Sequence, residues 1–117
     1  MHIGYVNVFV SDINSAIDFF ENKVGLKSQN ADPEFGYASF SAGAVSFGVA
    51  QTDDKSLVGR HTGVGFMTDD IDAEYQRLVD LDVTFEMPPT QQPWGGVLAL
   101  FKDPDGNIYY LDPGMDH

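Results

Sequence analysis

Cysteine is absent from the 117 residues. No disulfide can staple the chain and no thiolate can ligate a metal. Basic residues are scarce: six Lys and Arg stand against eighteen Asp and Glu, a formal net charge of -12. A surface of that sign repels phosphate backbones, which sets nucleic-acid binding aside. It would attract a cationic ligand, or simply keep the chain in solution. No apolar run approaches the roughly 18 residues of a membrane span. The first residues carry neither a basic segment nor a long apolar one, so no export signal is expected. The expectation is a soluble, cytoplasmic protein without nucleic-acid or membrane partners. Phosphate loops, G-x-G-x-x-G turns, G-x-S-x-G elbows, coiled-coil heptads and low-complexity segments are missing as well. Tryptophan is nearly absent, with Trp94 the single copy.

What remains is apolar and aromatic. Hydrophobic residues make up 43% of the chain, with nine Phe and five Tyr, enough for one compact core or two very small ones. In the segment Ile3 to Val10, Val6, Val8 and Val10 recur at period two, as one buried strand face does. Tyr5, Asn7 and Phe9 form the other face. Ser11-Asp12 offers a helix N-cap, and Ile13, Ala16, Ile17 and Phe20 have the spacing of a helix face that would cover the valines. Gly25 is the expected stop. Strands are predicted at about 27–32, 35–41 and 44–51, punctuated by Asp32-Pro33 and Ala42-Gly43.

The pattern then repeats. Val64, Phe66 and Thr68 alternate like the three valines, and Asp69-Asp70-Ile71-Asp72 opens a second helix as Ser11-Asp12-Ile13-Asn14 opens the first. Tyr75, Leu78 and Val79 would supply its apolar face. Asp12 and Asp70 lie 58 positions apart, about half the chain, as two copies of one supersecondary unit would. A strand near 83–87, a Pro-rich loop at 88–95 and strands at 96–102 and 108–112 follow, the last two joined by the Asp103-Pro104-Asp105-Gly106-Asn107 turn. The expected fold is α+β, two tandem βαβββ modules, each a curved mixed sheet with one covering helix. Module 1 spans 1–51, a polar linker 52–60, and module 2 spans 61–114. The uncovered sheet faces would wall a cleft.

The stretch V-x-V-x-V-S-D-I-x-x-A-I-x-F-F, the later F-x-T-D-D-I-D-A and the D-P-D-G-N turn before an apolar strand resemble, in order and over nearly the whole chain, the vicinal-oxygen-chelate (glyoxalase/bleomycin-resistance/dioxygenase) superfamily. That resemblance implies paired βαβββ modules, often in a homodimer. Its enzymes usually hold a divalent metal through His, Gln or Glu on the first and fourth strand of each module. Carried onto this sequence, those positions are Tyr5, Phe47 (or Gly48), Gly63 and Tyr110, none a good ligand for Zn, Ni, Mn or Fe. The expectation is therefore no metal, with a divalent ion as the alternative.

His61, two residues before Gly63, is read either as an exposed strand-start histidine or as a displaced ligand or acid–base group. Glu86 and Asp112 are read as surface carboxylates or as cleft groups. His2 and His117 are given no role. Q-P-W-G at 92–95 resembles the loop that borders the drug groove of bleomycin-resistance proteins, so Trp94 either stacks on a planar, cationic ligand or packs its loop onto the sheet.

The expected ligand-binding set is Tyr5, Asn7, Phe9, Phe47, Gly63, Met67, Trp94 and Tyr110. The expected function is metal-free binding of a small aromatic molecule, favoured by the acidic surface if cationic, in the manner of antibiotic sequestration. The alternatives are a metal-dependent lyase or dioxygenase-like enzyme with displaced ligands, built on His61 with Glu86 or Asp112, and a structural or regulatory domain with a closed cleft.

Overall fold

A computed structural model describes residues 1–114. His117 lies outside the described residues. The chain forms two compact units, one ending at Gly59 and the other beginning at Arg60.

The first unit runs β1 (Tyr5–Val10), α1 (Ile13–Asp18), a π-helical turn (Phe19–Val24), β2 (Lys27–Asp32), β3 (Tyr37–Ala42) and β4 (Val45–Gln51). The sheet order is β1-β4-β3-β2, with β1 and β4 parallel and the remaining pairs antiparallel. Val8 and Val10 are buried on the face that α1 covers with Ile13 and Ala16. Asp12 caps α1, accepting from the N–H groups of Asn14 and Ser15 at 3.0 and 3.3 Å. The π-helical turn lets two consecutive aromatics, Phe19 and Phe20, both reach the core. The Phe20 carbonyl then accepts from both Gly25 and Leu26, at 3.0 and 2.9 Å. Gly25 ends the turn at φ 92, a conformation glycine adopts without a side-chain clash. Phe20, Phe40 and Val49 are wholly enclosed, each contributing about 1.5–3 kcal/mol by leaving water.

The second unit repeats the order: β5 (His61–Met67), α2 (Ile71–Asp80), β6 (Phe85–Gln91), β7 (Val97–Lys102) and β8 (Ile108–Asp112), in the sheet β5-β8-β7-β6. β5 and β8 are parallel, matching β1 and β4. Asp70 caps α2 by accepting from Ala73 N–H at 3.1 Å. Phe66, Phe101 and Tyr109 pack together, Phe101 and Tyr109 stacked at 5.4 Å, and Leu78 is buried.

The Asp103–Asn107 turn is locked from inside. Asp103 accepts from Asp105 N–H and Asn107 N–H through one oxygen, at 2.9 and 3.0 Å. Its other oxygen accepts from Asn107 Nδ2 and the Tyr109 hydroxyl, at 2.8 and 2.7 Å. Burial nonetheless pushes the Asp103 carboxyl above the ordinary aspartate value, outweighing those hydrogen bonds. Burial, then the Asp103 charge, keeps the Tyr109 phenol protonated.

The elements depart from the sequence reading at several points. Strand β1 starts at Tyr5, not Ile3, and Thr68 lies beyond β5. Pro33–Phe35 form a 3-10 turn, so β3 begins at Tyr37. A second 3-10 turn, Lys55–Leu57, interrupts the 52–60 segment. Pro88 and Pro89 belong to β6, not to a loop. As an edge strand β6 tolerates prolines that lack a donor, and its pairing with β7 shifts register between Met87 and Thr90, across them. Val79 points outward at 37% exposure, leaving the α2 apolar face to Ile71, Tyr75 and Leu78. Among the described residues no helix is long and apolar enough to cross a membrane.

Candidate functional site

Each sheet has one face under its helix and one face open. In the first unit the open face carries Tyr5, Asn7 and Phe9, with Tyr5 65% and Phe9 41% exposed. The register sets Val6 beside Phe47 and Asn7 beside Gly48. Phe47 is thus on the covered face, 2% exposed, with its ring 4.9 Å from that of Phe20. The expectation that Phe47 lines the open face is corrected here: side chains alternate, and the open position is Gly48. Gly48 is glycine for a steric reason. An added Cβ would collide with Asn7 Oδ1 and the Tyr37 hydroxyl, which lean over it. The Tyr37 hydroxyl donates to Asn7 Oδ1 at 3.3 Å, and Ser46 bonds Gln29 at 2.9 Å. This face therefore presents amide and hydroxyl groups beside its two exposed aromatic rings.

In the second unit the open-face rows follow from the pairing. His61, Ile108 and Lys102 form one row, and Gly65, Tyr110, Leu100 and Met87 the next. Between them β5 bulges at Gly63, whose φ of 74 suits glycine. The Gly63 N–H donates to His61 Nδ1 at 3.1 Å, which leaves Nε2 as the protonated nitrogen of the neutral ring. The His61 ring lies 4.8 Å from that of Tyr110. Glu86 is paired with Lys102 at 3.0 Å. Asp112 accepts from Gly114 N–H at 2.8 Å.

Trp94 sits in the tight loop between β6 and β7, closed by Gln92 N–H to Gly96 C=O at 2.7 Å and Gly95 N–H to Gln92 C=O at 2.9 Å. Its indole lies over Gly96, where an added Cβ would strike the six-membered ring. Trp94 is still 59% exposed. Beside it opens a cavity of about 310 Å3 lined by Asp69, Trp94, Gly95, Gly96, Val97, Asp112, Pro113 and Gly114. That volume is at the lower end of small-molecule sites. Met67 borders the same wall: a Cβ on Gly114 would come 2.9 Å from Met67 Cε.

The four positions at which the resemblance implies metal ligands are here Tyr5, Gly48 (Phe47 facing the core), Gly63 and Tyr110, two phenols and two residues with no side-chain donor. Among the described residues no group of three or more His, Asp or Glu is arranged to hold a metal ion. These residues do not fit a divalent ion. Asp69, Tyr37 and Gly96 are absent from the sequence-derived set, although the Tyr37 hydroxyl leans over Gly48 and Asp69 and Gly96 line the cavity beside Trp94.

Two four-stranded sheets, each with parallel first and last strands and one covering helix, define a protein built of two βαβββ units. The family model described as Glyoxalase/Bleomycin resistance protein/Dioxygenase superfamily matches residues 2–109, and the chain belongs to that superfamily. Among solved structures it is similar to TnmS3, an antibiotic binding protein from Streptomyces sp. CB03234, with 30% identity, TM-score 0.81, and 96% of this chain and 94% of that one covered. A superfamily member from Sphaerobacter thermophilus DSM 20745 is 28% identical with TM-score 0.78, covering 96% of each chain. Among curated proteins, the uncharacterised YraH of Bacillus subtilis (strain 168) is 25% identical, over 92% of this chain and 94% of its own.

Proposed function

We propose that this protein binds a small planar aromatic molecule without a metal and holds it stoichiometrically, making and breaking no bond. The observation that carries the reading is the half-exposed Trp94 indole, braced on Gly96 beside the cavity of about 310 Å3. An aromatic ring held rigid at a concave wall gains stacking area at little ordering cost. Likeness to an antibiotic binding protein supports the same direction. Met67 and Tyr110, with Gly63 leaving room beside His61, extend the contact surface in the second unit; Tyr5, Asn7 and Phe9 offer it in the first. Protection by sequestration needs only affinity and a cytoplasmic location, and the protein acts there as a homodimer. The displaced-ligand enzyme lacks support from geometry, because Glu86 is committed to Lys102 and His61 accepts from Gly63.

The test is a thermal-shift and Trp94-fluorescence screen against planar aromatic antibiotics, followed by recovery of the bound compound. Saturation at one ligand per chain, with the compound recovered unchanged and no stoichiometric metal, is the expected result. A chemically altered compound, or one tightly held metal ion per chain, overturns the reading.

A further inference from the structure

Strands β1, β4 and β3, adjacent in the first sheet, contain no Asp, Glu, Lys or Arg, in a chain whose formal charge is -12. The polar groups on their open face are amides and hydroxyls. Asn7, Gly48 and Ser39 form one row across the three strands, as the pairing register sets them. Ala38 and Phe40, on either side of Ser39, are buried in the core, so the Ser39 side chain points to the open face. Ser39 is itself only 6% exposed, and its hydroxyl has no hydrogen-bond partner among the described residues. Among those residues no wholly enclosed side-chain polar atom lacks a partner, so what Ser39 still exposes includes that hydroxyl. An unpaired hydroxyl in so enclosed a place is costly until something reaches it from the open face.

Its neighbours have hydrogen-bonding capacity left over. The Tyr37 hydroxyl donates to Asn7 Oδ1 at 3.3 Å, which leaves the Tyr37 oxygen to accept and the Asn7 amide nitrogen to donate. The Ser46 hydroxyl donates to Gln29 Oε1 at 2.9 Å, which leaves the Gln29 amide nitrogen to donate. The bare Gly48 lets the Asn7–Tyr37 pair lie down on the sheet beside Ser39. Tyr5 and Phe9, exposed rings two residues to either side of Asn7, flank the row.

We infer that this face binds a neutral sugar ring, with its hydroxyls on Ser39, Asn7 and Tyr37 and its apolar side against the flanking aromatic rings. Each sugar hydroxyl both donates and accepts, as a row that mixes amide donors with hydroxyl acceptors requires. The C–H side of the ring meets the electron-rich face of an aromatic side chain. A charged ligand would find no counter-charge on these three strands. The inference rests on the ligand contact proposed above for Tyr5, Asn7 and Phe9, and needs neither Trp94 nor the cavity beside it.

The probes are the methyl α-glycosides of glucose, galactose and mannose, titrated into the isotope-labelled full chain and followed by its amide NMR signals. The controls are tetrahydropyran, the same ring without hydroxyls, and methyl glucuronide, a sugar that carries a carboxylate. At least one glycoside is expected to saturate in the millimolar range and to shift the Gly48 amide and the Asn7 side-chain amide, with both controls at least about tenfold weaker. S39A should weaken that glycoside about three- to tenfold, the worth of one neutral hydrogen bond. Asn7 is exposed, so N7A should give the same loss and keeps the test decisive if S39A disturbs β3. No shift from any of the three glycosides, binding of either control as tight as theirs, or affinity untouched by both substitutions overturns the inference. Those results leave the aromatic-binding reading standing, because it is read through Trp94 emission with a planar ligand. A glycoside that binds where no planar aromatic does supports the sugar site and sinks the aromatic reading alone.

Discussion

Gly96 has no side chain because the Trp94 indole occupies the space one would fill. Substituting Gly96→Ala must lift the ring from the loop backbone and unfix the only tryptophan. We expect a shift in Trp94 emission in the free protein and a loss of about three- to tenfold in affinity for a planar aromatic ligand. Unchanged emission and affinity would mean that the ring has another rest position. Asp82 presents the opposite case, a residue where glycine would serve better. It holds φ 64 just past the end of α2, with a negative charge near the helix C-terminus. Asp82→Gly relieves both the left-handed backbone and the dipole conflict, and should stabilise the protein by about 0.5–1 kcal/mol in chemical denaturation.

The β7–β8 turn carries a pH-dependent contribution at the scale of an element. Asp103 accepts four hydrogen bonds there, yet burial raises its carboxyl above the ordinary 3.8. The folded state therefore binds this proton more tightly than the unfolded chain does. The stabilisation from that proton is fully present below about pH 3.8 and is lost as pH rises through the folded-state value. Asp103→Asn removes both the titration and part of the hydrogen-bond set. It should cost about 2 kcal/mol, and the gap between wild type and variant should narrow from acid to neutral pH. A gap that widens over that range would show that the hydrogen bonds, not burial, dominate. In the first unit, Phe20→Ala should cost about 3–5 kcal/mol, because the ring is fully enclosed between Phe19, Phe40 and Phe47.

The sequence disclosed these elements unequally, for physical reasons. Caps, periodicities and the D-P-D-G-N turn are local, so both helices, the succession of strands and helices along the chain and β8 were legible from the residues alone. Phe47 was not. Its face depends on the parallel register of β1 with β4, a non-local pairing in which one residue of slip moves a side chain from solvent to core. Pro88-Pro89 misled in the same way, since proline excludes a central strand but not an edge, and only the sheet order shows that β6 is an edge. Asp69 was hidden by its neighbour. Two adjacent aspartates before a helix read as one capping signal, yet only Asp70 caps while Asp69 faces the cavity.

At the scale of the whole molecule the formal charge of -12 is a long-range field, concentrated in the half that contains Trp94. Such a field acts on encounter before contact is made. Raising ionic strength from about 10 to 150 mM shortens the screening length from about 30 to 8 Å, so distant carboxylates stop contributing while those lining the cavity still do. For 1-naphthylmethylammonium, stopped-flow measurement through Trp94 should therefore show an association rate that falls severalfold over that range. Its dissociation rate, set by contacts at the cavity, should change much less. For 1-naphthylmethanol neither rate should move. An association rate for the ammonium that is flat in salt would mean that the acidic surface serves solubility alone.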